Sequence, residues 1–297
     1  MISKEIPLVS VCIRSHNQEK FIAQAIDSVL MQKTTFPFEI IIGDDNSKDN
    51  SINILDEYTT NNPELIHVLK SEVKLGGAKN LRQTIEHSKA KYIALCDGDD
   101  YWTDVYKLQK QVDFLEQHKE YIACFHNVIN IYENNEDKSS FFHSAGFPQH
   151  HTYETVVKNK WFLPINGLVF IREYVFFPNW FDNVKHDDYV MDLALASKGS
   201  FYIMRDVMAV YRHHGNNMSS NFDIIQFDNE MSTILYKMKK YYPLSAHKIF
   251  DDKIDEYRLE IKQLERDKKY PLIKYFYFKT YKKLIGKLLK IKKKRVN

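Results

Sequence analysis

Four short apolar runs, separated by stretches of helical period, constrain this chain more than any other feature. They are Leu8-Val9-Ser10-Val11-Cys12-Ile13, Phe38-Glu39-Ile40-Ile41-Ile42-Gly43, Ile66-His67-Val68-Leu69 and Tyr92-Ile93-Ala94-Leu95. Each is too short for a helix and too continuous for a half-exposed strand, so each reads as a strand buried on both faces. Between them, Phe21 to Gln32 places Ile22, Ala25, Ile26, Val29 and Leu30 on one helical face, and Ser51 to Tyr58 and Asn80 to Ser88 read as further helices. Ser47 or Asp49 is expected to cap the second of these. Strand and helix in strict alternation predict an α/β fold, a mostly parallel sheet covered on both sides, and such sheets bind ligands beyond the carboxyl ends of their strands.

Two of those strand ends carry acids, Asp44-Asp45-Asn46-Ser47 and Cys96-Asp97-Gly98-Asp99-Asp100. Three carboxylates within four residues repel one another, and a loop that collects them commonly receives a cation; oxygen ligands suit Mg²⁺ or Mn²⁺ rather than zinc. Asp-Gly is also a good turn, so a solvated acidic turn is the plainer alternative. A dinucleotide fold needs a glycine-rich turn after the first strand, where this chain has Arg14-Ser15-His16-Asn17, and no P-loop is present. Gly76-Gly77 reads as a turn before the Asn80 helix rather than as a phosphate cradle.

Val9 to Asn17, then Ile41-Ile42-Gly43-Asp44-Asp45-Asn46-Ser47, then Gly77-Ala78-Lys79-Asn80, then Cys96 to Asp100 together resemble the ordered signature of the family-two, A-type glycosyltransferases, over roughly residues 7 to 220. The resemblance implies a Rossmann-like, mostly parallel mixed sheet with helices on both faces. It also implies roles. The loop with Ser15 and Asn17 would hold base and ribose, and Asp45, with Asp44 beside it, would receive a hydrogen bond from the base. Lys79 stands where many relatives carry Arg, keeping charge but losing the planar fork. Asp97 and Asp99 would form the DxD pair on ribose and diphosphate-bound metal, with Asp100 an additional or substitute ligand.

A second group, His186-Asp187-Asp188-Tyr189, precedes a helix that Gly199 would stop. Acids at a helix start are ordinarily caps and dipole partners. The resemblance instead implies Asp188 as the general base of an inverting transferase, with Asp187 as the acid before it, and mutual repulsion should raise one of the two pKa values. His214, in Tyr211-Arg212-His213-His214, is implied as a metal ligand or diphosphate contact; adjacent loop histidines are the alternative.

Lys107 to Leu115 reads as a helix, and Tyr121 to Val128, Leu163 to Phe170, Phe201 to Met204 and Val207 to Arg212 as strands. Asn134 to Tyr153 reads as a loop or lid whose histidines, His143, His150 and His151, are expected to be solvated, since they lack metal-ligand spacing. The domain expectation is a catalytic domain over 1–220, with a nucleotide half (1–130) and an acceptor half (131–220), and a helical extension over 221–297.

Charge is uneven along the chain. Residues 268–297 hold twelve Lys or Arg and no acid, so a total of +3 leaves −9 before them. The stripe Ile273, Tyr277, Tyr281, Leu284, Leu288 and Ile291, flanked by lysines and followed by Lys292-Lys293-Lys294-Arg295, is expected to lie on an anionic membrane surface; a helix docked on protein is the alternative. Nucleic acid is disfavoured by the acidic body and the lack of a reader module. No charged-then-apolar leader and no run of about 18 apolar residues is evident. Cys12, Cys96 and Cys124 sit in strand-like runs as reduced core residues, which favours the cytoplasm, at the inner face of the membrane. Aromatics at 14% decide nothing alone.

The functional expectation is thus a Mg²⁺- or Mn²⁺-dependent inverting transferase taking a UDP-linked sugar to a glycan or lipid-linked hydroxyl, as in capsule or O-antigen assembly. The alternatives are a sugar nucleotidyltransferase, which would need a glycine-rich basic first loop, and a membrane-associated adaptor with a vestigial nucleotide site.

Overall fold

The computed structural model describes residues 6–133, 139–159, 162–215 and 223–269. The basic tail after 269 and its expected membrane contact lie outside the described residues. The chain divides into two compact units, Met1–Ser220 and Asn221–Asn297.

In the first unit the alternation expected from the sequence is present. The strands are β1 (Val9–Ser15), β2 (Phe38–Asp44), β3 (Ile66–Lys70), β4 (Tyr92–Asp97), β5 (Tyr101–Trp102), β6 (Tyr121–Tyr132), β7 (Ser140–Phe141), β8 (His150–His151), β9 (Val169–Ile171) and β10 (Ser200–His213). The helices are α1 (Ile22–Leu30), α2 (Ser51–Asn61), α3 (Gly77–His87), α4 (Lys107–Gln117), α5 (Tyr153–Lys158) and α6 (Asp187–Ala196). Strand order is β3-β2-β1-β4-β9-β6-β10-β5, with β7 on β6 and β8 on β10. The first four strands are parallel, β9 runs antiparallel to both β4 and β6, and β6 and β10 are parallel again. The chain leaves β1 toward β2 and β3 and returns to β4 on the other side, so a switch point falls at the β1/β4 boundary.

The core explains why these runs are strands. Val9, Val11, Ile13, Ile40, Ile42, Tyr92, Ala94 and Cys96 are buried together with Ile22, Ile26 and Val29 of α1 and Leu108, Val112 and Leu115 of α4. Asn80 fastens α3 to the sheet by donating its Nδ2 to the Gly43 carbonyl at 2.8 Å.

Four local expectations differ. Leu163 to Phe170 is not one strand: Ile165–Gly167 forms a 3₁₀ turn and only Val169–Ile171 pairs, because Asn166 turns inward to serve polar groups of the core. Conversely, the two strands expected around residue 205 are one bulged strand, β10. Of the two cap candidates for α2 only Ser47 fails, being held by Asp44, whereas Asp49 Oδ1 accepts from Ser51 N at the start of the helix as expected. Finally, His143 and His151 are not solvated. They are buried against Phe147, at ring distances of 3.9 and 5.3 Å, and only His150 is exposed.

The second unit is a helical pair. Asp223 caps α7 (Ile224–Met238) by accepting from Ile225 N and Gln226 N, and Phe227, Met231, Leu235, Phe250, Ile254 and Tyr257 are buried in α7 and α8 (His247–Lys269).

Candidate active site

Parallel register delivers the first part of the site. Along β1, Ser15 is opposite Asp44 of β2 and Arg14 is opposite Asp97 of β4. Arg14 donates from Nε and Nη2 to the two oxygens of Asp97, at 2.7 and 2.9 Å, and from Nη1 to Asp187 Oδ2 at 2.7 Å. One guanidinium thereby joins a strand end to the first residue of α6. Helix α3 closes the same space, since a Cβ at Gly77 would lie 3.7 Å from Asp187 Oδ2. Arg82 of α3 reaches Asp182 at 2.8 Å, which steadies the segment leading into α6.

The acids differ sharply in setting. Asp99 is 18% exposed and accepts from or pairs with His214 Nε2 at 3.0 Å; the imidazole also packs on Phe21, ring to ring at 4.9 Å. Asp100 is 2% exposed and held from both sides, by Asn166 Nδ2 at 2.9 Å and by Arg212 N at 2.8 Å. Burial, with repulsion from Asp99 and Asp97, pushes its carboxyl well above the ordinary carboxylate range. Gly98 between them has no room for a side chain: a Cβ would meet the Arg14 carbonyl at 2.8 Å and Gln18 closer still.

Burial also raises Asp187, with Asp188 and Asp97 adding to the rise and Arg14 opposing it. Asp97 is raised by burial against the pull of Arg14, and both Asp99 and Asp188 contribute to its rise. These mutual influences put Asp97, Asp99, Asp187 and Asp188 in one electrostatic neighbourhood. Asp188 is half-buried, with Oδ1 accepting from Tyr189 N at 2.7 Å.

The other sequence candidates fall at the ends of β1 and β2. Asp45 is buried and accepts from Leu75 N and Gly76 N, fixing the loop before α3. Asp44 is fully buried and accepts from both Ser47 N and Ser47 Oγ, so its carboxylate braces its own turn. Asn17 adopts a left-handed φ of 53° and accepts from Lys48 N, joining the first loop to the second. Ser15 is buried with its hydroxyl unpartnered, and Lys79 is exposed in the first turn of α3.

No role was legible in sequence for Arg14 or Asn166, and Arg212 entered only within the run Tyr211-Arg212-His213-His214. Arg14 left one further signal, as a charge closing an apolar strand.

For a divalent ion the donor set is thin but chemically apt. Among the described residues no group of three His, Cys, Asp or Glu could hold a metal. Asp99 with His214 nonetheless offers two donors, and small hard cations commonly take one or two protein ligands and complete their shell with substrate phosphates and water.

An open, mostly parallel sheet with acids gathered at its switch point defines a doubly wound α/β protein, and likeness to solved structures makes it the A-type glycosyltransferase fold. The chain matches the model of Glycosyl transferase family 2 over residues 10–176, and it belongs to that family. It is 31% identical over 223 residues to the dTDP-rhamnosyl transferase RfbG of Shigella flexneri, covering 68% of this chain and 72% of that one. It spans 60% of the length of the uncharacterized protein Rv1520 of Mycobacterium tuberculosis, to which it is 34% identical over 213 residues, 71% of this chain. In fold it is similar to S. aureus TarS 1-349 in complex with UDP-GlcNAc, with a TM-score of 0.62 at 18% identity, covering 84% of this chain and 71% of that one. A mannosyltransferase from Pyrobaculum calidifontis, in complex with GDP-Man and Mn²⁺, gives 0.57 at 16% identity, covering 84% and 69%. Among the described residues no helix is long and apolar enough to cross a membrane.

Proposed function

We propose that this chain is a metal-dependent inverting glycosyltransferase that moves a sugar from a UDP-linked donor to a hydroxyl of a glycan or lipid-linked acceptor in cell-surface polysaccharide assembly. One observation carries the reading. Carboxylates from the end of β4 and the start of α6, ninety positions apart in sequence, converge on a single guanidinium at the carboxyl edge of the sheet. Family membership supports the reaction class, and the UDP-GlcNAc and dTDP-rhamnose in the names of similar proteins support a pyrimidine nucleotide donor.

In this reading Asp45, Ser15 and Asn17 line the base and ribose end, with Lys79 at its margin and Asp44 bracing the turn. Asp97 faces the ribose and Asp99 the diphosphate, and Asp100 holds their loop from behind. A Mg²⁺ or Mn²⁺ bound by Asp99 and His214 would offset the negative charge that builds on the departing diphosphate. Asp188 accepts the proton of the acceptor hydroxyl as its oxygen bonds to the anomeric carbon; the glycosidic bond to the diphosphate breaks with its electron pair leaving on phosphate oxygen. Attack from the face opposite the leaving group inverts the anomeric centre. Asp187 stands beside the base with its charge balanced by Arg14.

The lipid-linked acceptor and a membrane-facing tail belong to the same reading, and what supports them is the basic, aromatic-rich sequence after Lys268. The test is release of nucleoside diphosphate from a panel of sugar nucleotides with and without Mn²⁺. Turnover of a UDP-sugar that needs the ion and disappears in Asp99→Ala is the expected result. Ion-independent turnover, or none by the wild type, refutes it.

A further inference from the structure

Within that transferase reading, we propose that Arg14 is a positioning residue that locks the donor-side loop to the base-bearing helix and so fixes the distance across which the sugar is transferred. The geometry is specific to arginine. Nε and Nη2 address both oxygens of Asp97 in a two-pronged pair, and Nη1, on the third edge of the same plane, reaches Asp187 at 2.7 Å. A planar fork can hold two carboxylates at a set angle, whereas a lysine ammonium is a point charge on a flexible stem. The three side chains are 18%, 21% and 4% exposed, so solvent does little to weaken the contacts.

Arg14 is itself well anchored. Its carbonyl accepts from Gly98 N at 2.9 Å, and its strand neighbour across the sheet is Asp97. The cation therefore rides on the rigid centre of the sheet and reaches outward to two parts of the site that no strand pairing connects. Asp187 Oδ1 accepts from Asp188 N, so the orientation set by Arg14 passes along one residue to the candidate base. Without the guanidinium, Asp97 and Asp187 would lose the cation that joins them, and the helix start and the loop would no longer be tied together.

This inference is tested by steady-state kinetics on the full chain with Mn²⁺ and the UDP-sugar that the wild type turns over, using Arg14→Gln, Arg14→Lys, Asp187→Asn and the Arg14→Gln/Asp187→Asn pair. Misplacing a reacting group by about 1 Å costs roughly 100-fold, so Arg14→Gln should lower kcat by about that factor and shift donor KM by less than about threefold. Arg14→Lys should recover under about a tenth of wild-type kcat. The double variant should be no slower than the slower single one, because both remove one link. Losses that multiply, full activity in Arg14→Lys, or a raised KM at unchanged kcat would each overturn the role. Melting curves identify variants that fail to fold; should Arg14→Gln be one, Arg14→Lys enters the same cycle. A wild type inactive with every donor sinks the transferase reading and this role with it, whereas an active wild type with a multiplicative cycle removes only the role.

Discussion

Asp99 and Asp100 are neighbours in sequence and opposites in the structure. Asp99 faces the open side of its loop, 18% exposed and beside His214; Asp100 faces the core, 2% exposed, with its oxygens taken by Asn166 and the Arg212 backbone. Behind Asp100 the polar layer continues inward. Trp102 Nε1 donates to the Asn166 carbonyl at 3.1 Å, and the Lys107 ammonium, fully buried, sits 4.0 Å from the Trp102 ring. Gln111 ties the same turn to β6 through the Gly167 and Cys124 carbonyls. The front of the loop thus keeps Asp99 available, while at the back the Asp100 carboxylate is spent on Asn166 Nδ2 and Arg212 N. Identical side chains stay open to a ligand or hold shape according to which way the backbone turns them.

Changes at the front should silence activity and leave stability nearly untouched. The largest effect is expected from Asp188→Asn, a loss of about 1,000-fold in kcat with an unchanged melting temperature, since the general base proposed at this position would supply roughly 10²–10⁴. Asp99→Asn, or chelation of the wild type, should follow with about 100-fold or more, and added Mn²⁺ should restore only the chelated protein. At the back the pattern reverses. Asp100→Ala removes the buried acceptor of one Asn166 Nδ2 hydrogen bond and of Arg212 N, and denaturant titration should show a loss of about 2–4 kcal/mol. A fully stable Asp100→Ala would erase the distinction between the two faces.

The smallest effect sharpens it. Burial lowers the Lys107 amine from 10.5 to about 7. The unfolded chain keeps that proton up to its ordinary value while the folded one releases it near neutrality. Between about 7 and 10.5 the unfolded state therefore binds the extra proton, and stability should rise with pH across that window; below 7 folding carries the full cost of a buried charge. Lys107→Met should stabilise the protein most below pH 7, with an advantage that shrinks toward pH 10, as read from melting temperatures.

How much of this the sequence announced follows from the range of the interactions. The β-α alternation of the first half was legible because it is local, down to the acids at the ends of β2 and β4. Asp187 and Asp188 were legible only through family resemblance. Nothing local separates Asp99 from Asp100, because Asn166 and Arg212, which decide their fates, enter the chain much later. Arg14 looked like the first residue of a loop, since its partners lie 83 and 173 positions away. His143 and His151 were misread for a related reason: a polar composition concealed Phe147 and Phe162, which bury His151 between them at ring distances of 5.3 Å each.

Strand β9, three residues long, stands between β4 and β6 and is made after both of them. A ribosome delivering this chain therefore releases two raw sheet edges that nothing bridges until Ile171 has emerged. A nascent chain halted short of Val169 carries Asp97, Asp99 and Asp100 yet lacks both the strand that joins β4 to β6 and the Arg212 N–H that holds Asp100, so the acid loop is translated well before its surroundings are complete.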